Sequence, residues 1–450
     1  MENIHIYHTN DLHSHLDHWP RIRHLLQERQ RWHKEAGDEF LLFDIGDHMD
    51  RWHPFTEGTH GKGNTQLLNQ AGYTAVTIGN NEGITLPHED LDTVYQDAHF
   101  DVLVGNLFYK NGERPGWAKP YTIYTTKKGT RIGVFGLTVY FSHFYDLLGW
   151  RLEEPLQELQ NLLPELKEKA DIIVFLSHLG LHEDERIAID YPEIDIILGG
   201  HTHHILHEGK MVNQPLLCGA GKHGAYVGHV ELNISSIGVT ANKKAILYDV
   251  NEIEAPVGET EEASNLFEKG KHLLNEKIVT LEQPLKSEYF KPSSLPQLLC
   301  DALREWCDAD CAFLNAGLLL GPLSGDVTKY DLLTVCPHPI NPCVVELPGN
   351  ELREILLQTR DEEWPHMQIK GLGFRGKVMG NMVYDQIEFI DELQEIQIRG
   401  RNLKPDTIYK LAIPDMFTFG RFFPVIQRSA HKRYFMPEFL RDLLAWKITK

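Results

Sequence analysis

Long apolar runs, an export signal, paired cysteine motifs and a surplus of basic residues are all missing from this 450-residue chain. Each absence excludes something. No stretch is long and apolar enough to span a bilayer, which takes about 20 consecutive residues. Met1-Glu2-Asn3 leads straight into Ile4-His5-Ile6-Tyr7, with no room for the apolar segment of a signal peptide. The six cysteines contain no C-x-x-C pair; Cys307 and Cys311, near Cys300, read as free buried thiols on a helix face rather than a zinc site. Together these features point to a reducing cytoplasm. A net charge of −20 argues against a nucleic acid polymer or an anionic membrane as partner, because neutralising phosphates takes Lys and Arg. It leaves room for a small phosphorylated substrate, since bound divalent cations can dominate a local field.

What is present is a long alternation. A chain of this length suggests two domains. In the first half, strand-like runs (Ile4–Tyr7, Phe40–Phe43, Ala75–Ile78, Ile132–Leu137, Ile172–Leu176, Ile194–Leu198) alternate with helical stretches such as Pro20–Glu35 and Glu153–Lys169. That is the pattern of an α/β domain over residues 1–255. His53–Asn64, rich in Gly, Thr and Lys, reads as a loop. Ala255-Pro256-Val257-Gly258 breaks the pattern, and 256–282 reads as a connecting helix. Residues 283–450 form a smaller α+β domain, with a helix at Pro296–Trp306 and strands at Cys311–Asn315 and Val344–Leu347.

Five of the apolar runs end in residues that can hold metals: Asp11-Leu12-His13, Gly46-Asp47, Gly79-Asn80, Ser177-His178 and Gly200-His201-Thr202-His203. Open α/β sheets place their sites at the carboxyl ends of strands. Taken singly, each motif has a plainer reading. Asp11 and Asp47 could cap or terminate elements, Gly79-Asn80 could be a turn, and a lone His178 is most often a packed core or surface histidine. Taken together, they suit a pair of divalent cations. Asp11, His13 and His203 would serve one cation, Asn80, His178 and His201 the other, and the Asp47 carboxylate would bridge them. The absence of thiolate suits Mn²⁺, Zn²⁺ or Fe rather than a structural cysteine site. His201 and His203 would point the same way at a strand end, or splay in a loop to reach both cations.

The blocks His8-Thr9-Asn10-Asp11-Leu12-His13, Gly46-Asp47, Gly79-Asn80, Leu176-Ser177-His178-Leu179-Gly180 and Gly199-Gly200-His201-Thr202-His203 resemble those of the calcineurin-like metallophosphoesterases. More narrowly, they are similar to the branch of 5′-nucleotidases, UDP-sugar hydrolases and 2′,3′-cyclic nucleotide phosphodiesterases, and within it to intracellular YunD-type bacterial members. The resemblance is specific over residues 1 to about 230 and looser beyond. It implies a four-layer αββα catalytic sandwich, with a smaller α+β domain that selects the substrate. It also implies nucleotide hydrolysis by a metal-bridging hydroxide attacking phosphorus in line. Asn315, Phe374 and Phe417 lie where such enzymes contact the nucleotide. From the residues alone, either phenylalanine reads as core rather than as a stacking platform; it is the resemblance that makes them candidates.

Two positions depart from that family. The third block normally carries a histidine where this chain has Asn81. An amide can steady a phosphoryl oxygen but cannot deliver a proton, help that is typically worth about 10²–10⁴ in rate. Asn81 is therefore the catalytic candidate with a reduced role, and His48 or His182 is a candidate proton source. Leu320 stands where many relatives place a phosphate-holding arginine, leaving Lys291 or Arg375 as replacements. The reading is a dinuclear-metal phosphohydrolase acting on a nucleotide-like phosphoester or phosphoanhydride. Its alternatives are a phosphodiesterase on cyclic or sugar nucleotides, and a weakly catalytic nucleotide-binding protein.

Overall fold

A computed structural model describes residues 2–235, 240–390, 395–419 and 422–450. The chain divides into two compact units, Met1–His272 and Leu273–Lys450.

The first unit is built on two mixed sheets. In one, the strands Glu2–Thr9, Glu39–Asp44, Ala75–Val76 and Asp101–Leu103 run parallel in neighbouring positions, and Tyr226–Ile234 pairs antiparallel with the first. In the other, Arg131–Thr138, Ile172–His178 and Ile196–Gly199 run parallel side by side. The strict alternation of side chains along a strand lets each sheet bury one face against the other. Ile4, Ile6 and Phe43 meet Val134, Val174, Leu176 and Leu198 in a single core. The opposite face of the second sheet is covered by Leu159, Leu162 and Leu166 of the helix Pro155–Lys169 and by Ile187 of Leu181–Asp190. The helix Trp19–Ala36 buries Trp19, Ile22, Leu25 and Leu26 at three- and four-residue spacing, and stops where Gly37 turns left-handed at φ 79°. The order is helix, sheet, sheet, helix, the α/β sandwich expected from the sequence.

Two local expectations are corrected. His53–Asn64 is not a loop throughout: Pro54–Gly58 and Lys62–Ala71 are helices. Pro54 presets the first helical φ, and the His53 ring accepts the Phe55 N–H. The run 256–282 is not one connecting helix. A helix covers Glu259–Leu273, clamped to the first unit by the Arg21–Glu259 and Arg23–Glu262 ion pairs. Lys277–Leu285 is instead a strand, paired with Leu323–Thr328, because β-branched Ile278-Val279-Thr280 favours a pleated surface over a helix.

The second unit is α+β, as expected. Its central sheet joins Cys311–Asn315, Pro342–Pro348 and Ile408–Pro414, with Ser294–Trp306 as its main helix. All six cysteines are free and buried.

Candidate metal centre

The expected ligands converge. Asp11, Asp47 and Asn80 follow the carboxyl ends of three adjacent parallel strands of the first sheet. His178 ends a strand of the second, and His201 and His203 follow its neighbour. Two clusters result, Asp11/His13/His203 and Asp11/Asp47/His178, each with its ligand atoms within 4.8 Å of one another. Asp47 Oδ2 lies 3.6 Å from His13 Nε2 and 3.5 Å from His178 Nε2, so a single carboxylate oxygen sits between the two. His201 Nδ1 is 2.8 Å from Asn80 Oδ1. His201 and His203 splay: the first turns toward Asn80, while the second brings Nε2 to 3.2 Å from His13 Nε2.

The backbone is bent to achieve this. Asp11, His13, Asp47, His201 and His203 all have positive φ, between 49° and 69°. Non-glycine residues adopt that region at a cost of about 1–3 kcal/mol each. Interlocking bonds hold the strained loops together: Asp11 N–H donates to Gly46 O, His13 N–H to Asp47 O and His223 N–H to Asp11 O. Close approach explains one of the glycines. A Cβ on Gly79 would fall 2.0 Å from Asp47 Oδ1.

The side chains call for cations. Ile45 O can only accept, so His178 donates to it from Nδ1 at 2.7 Å. That leaves the Nε2 lone pair buried, unpartnered among the described residues and aimed at the Asp47 carboxylate. His13 Nε2 and His203 Nε2 likewise meet beside Asp11 Oδ1. Lone pairs facing lone pairs and carboxylates in a buried place repel unless positive charge stands between them. Without metals, protons supply it. Burial opposes charge on His178, but Asp47 and Asp11 outweigh it and hold the imidazole up at about 10. Burial likewise opposes the Asp47 carboxylate, yet His178, His13 and the Asn81 N–H hold it well below the usual range. His201 is pushed down to about 4 by burial and by the charge on His178. The donor set of imidazoles, carboxylates and one amide fits divalent metals of the Mn²⁺ or Zn²⁺ kind.

Some supporting residues were not foreseen. Glu82, 1% exposed, accepts the N–H groups of Asp47 and Gly79 on Oε2 and that of Met49 on Oε1, at 2.8–2.9 Å. Its place three residues after Gly79, where a helix-capping carboxylate sits, was the available signal. Asp50 lies 3.4 Å from His13 Nδ1, the carboxylate–histidine pairing that orients metal ligands; nothing local in the sequence marks it. Asp184 accepts from Ser177 Oγ, and burial pushes its carboxyl up to about 8.

The residues match the calcineurin-like phosphoesterase family over 4–204 and the 5′-nucleotidase C-terminal domain over 275–425. The chain is 45% identical to the uncharacterized metallophosphoesterase YunD of Bacillus subtilis (strain 168), over the whole length of both. The protein is a calcineurin-like phosphoesterase. As such it is a metal-dependent phosphoric ester hydrolase. The NAD nucleotidase of Haemophilus influenzae shares its fold at TM-score 0.67 and 15% identity, covering 99% of this chain and 95% of that one. The 5′-nucleotidase precursor of Thermus thermophilus does so at TM-score 0.62 and 19% identity, covering 99% and 96%.

Other expected positions in this phosphoesterase fall variously. Asn81 is at the centre: its N–H donates to Asp47 Oδ1 and its amide to Asp47 Oδ2, 3.2 Å from His13 Nδ1. His48 is buried against Trp19 and pushed down to about 3 by burial, and His182 is exposed on a helix. Phe417 must be withdrawn as a stacking platform. It is wholly buried among Phe313, Phe422 and Phe423, so its ring has no face left for a base. Phe374 is 4% exposed and stacks on His338 at 5.1 Å. Asn315 is fully buried and donates to Met379 O, with Oδ1 unpartnered among the described residues. Leu320 is partly exposed, and no helix of the described chain is long and apolar enough to cross a membrane.

Proposed function

We propose that this phosphoesterase is a two-metal hydrolase of nucleotide-like phosphoesters or phosphoanhydrides. The observation that carries the reading is the Asp47 oxygen held 3.5–3.6 Å from imidazole nitrogens of both clusters. Asp11, His13 and His203 would hold one cation and Asn80, His178 and His201 the other, with the Asp47 carboxylate shared between them. Two divalent cations so held supply Lewis-acid charge, a water acidic enough to act as nucleophile near neutrality, and a clamp on both ends of an in-line displacement. The chain's own residues do the rest. Glu82 fixes the Asp47 loop by three backbone bonds, and Asp50 orients His13. Asn81 keeps its amide over the Asp47 oxygen, where it can donate to a phosphoryl oxygen and cannot protonate a leaving group. Departure without a proton favours leaving groups of low pKa, hence anhydrides and aryl esters over alkyl monoesters. The match over 275–425 to the 5′-nucleotidase C-terminal domain supports a nucleotide as substrate.

The test joins metal analysis of protein purified without chelators to a panel of nucleotide mono- and diesters assayed with Mn²⁺. Native protein should carry ions that Asp47→Ala lacks, close to two per chain, and should hydrolyse the panel where the variant does not. Equal, near-background rates in the two proteins would defeat the reading.

A further inference from the structure

On the outer face of the first sheet, three histidines meet that the hydrolytic centre does not use. His5 lies on Glu2–Thr9 and His229 on its antiparallel neighbour, where it is registered with Tyr7. His33 sits in the last turn of Trp19–Ala36, and Asp38 lies just past its Gly37 cap. All three imidazoles are more than nine-tenths buried. His5 Nδ1 is 3.0 Å from His229 Nε2, and His5 Nε2 is 3.5 Å from Asp38 Oδ2. Tyr7 Oη lies 3.0 Å from His33 Nε2. One nitrogen from each histidine lies within 4.8 Å of the others. His229 Nδ1 is buried with no hydrogen-bond partner among the described residues.

Packing alone does not call for this set. Tyr7, Phe40 and Tyr248 already stack around the same place, and apolar side chains would fill it without desolvating three imidazoles. Burial holds His33 down near 4 and His229 near 3, and lowers His5 as well. At neutral pH all three are therefore uncharged, the form that ligates metals.

We propose that His5, His33 and His229, with the Asp38 carboxylate at the rim, form a separate site for a divalent transition metal of the zinc, nickel or copper class. Three imidazoles and one carboxylate, with no thiolate, suit those ions rather than Mg²⁺ or Ca²⁺. Tetrahedral bonds of about 2.0–2.1 Å need ligand atoms roughly 3.3 Å apart. The present separations, all within 4.8 Å, close to that value by side-chain rotation that opens the 3.7 Å stack of His5 on His33. Asp38, 22% exposed, marks the way in. A bound ion would staple the end of the first helix to two neighbouring strands.

The test is zinc binding to the full chain, measured as ions per chain and as the rise in unfolding temperature. Native protein should hold one zinc more than His33→Gln or His229→Gln, and only native protein should gain the corresponding thermal shift. Phosphatase activity should be equal in all three. The same number of ions in native and variant proteins would overturn the proposal, whatever the activity. Should both histidine variants fail to fold, Asp38→Asn decides. Binding of that ion weakened about 10-fold or more supports the site, and unchanged affinity refutes it.

Discussion

Replacing Glu82 by glutamine tests how the Asp47 loop is held, because the change keeps the shape and removes the charge. Oε2 accepts two backbone N–H groups and Oε1 a third, in a place 1% exposed. Glutamine can set its oxygen at only one of the two positions. With oxygen in the Oε2 place, the Met49 N–H faces an NH₂ group, orphaning a buried donor at about 1–3 kcal/mol. The bonds from Asp47 and Gly79 fall from charge-assisted to neutral strength, roughly halving each. Together these give a loss of about 2–5 kcal/mol. Burial and the neighbouring Asp47 charge push Glu82 up to about 7, so at pH 8, where the native side chain is ionised, glutamine also escapes the cost of burying that charge; this offsets part of the loss in stability, and the metal titration is the deciding arm. Urea unfolding supplies the stability. Metal titration supplies the functional arm: Asp47, carried on a loop at φ 51°, should loosen and weaken metal binding about 10–100-fold. A variant within about 0.5 kcal/mol of native, with unchanged metal affinity, would refute the idea that Glu82 holds the bridging carboxylate in place.

Three other outcomes follow from the same structure. Asn81→His should flatten the dependence of rate on leaving-group pKa across a series of aryl phosphates, raising the slowest substrates by up to about 10²-fold; an unchanged slope would show that no proton is missing at that position. His338 is wholly buried, donates from Nε2 to Leu318 O and accepts the Arg375 N–H on Nδ1, and burial pushes it down to about 3. It stays neutral in the fold while the unfolded chain takes up a proton below about 6.5, so the stability it contributes is present above that pH and lost as pH falls toward 3. At pH 4.5 the loss is about 3 kcal/mol, and urea melts of His338→Gln should lack that part of the acid slope. Phe417→Ala should cost the second unit about 3–5 kcal/mol in urea unfolding, as a core cavity does, and leave the KM for a nucleotide unchanged in protein that remains folded.

Much of the architecture was readable because its signals are local. Cys311–Asn315 is a strand over those same five residues, and Pro155–Lys169 lies inside the stretch read as helical. In each, apolar periodicity matches one kind of element and its ends are punctuated by Gly, Pro or Asn. His53–Asn64 misled for the opposite reason. Its composition is that of a loop, and its helices depend on Pro54, on the His53 ring and on packing around Phe55. Phe417 misled differently, since a phenylalanine reads alike whether it faces a ligand or three other phenylalanines.

By itself the sequence determined the chemistry on offer: two carboxylates, an amide and four imidazoles, each just after an apolar run that could hardly be anything but a buried strand. Which of its 25 histidines meet was decided only in three dimensions. The packing of one sheet on the other brings together side chains more than a hundred residues apart, such as Asp47 and His178, and left-handed backbone turns His201 and His203 to opposite sides. The same is true of Glu82, Asp50 and the His5–His33–His229 group. Their partners lie on other elements, and contact between distant elements is a property of packing that no local pattern encodes.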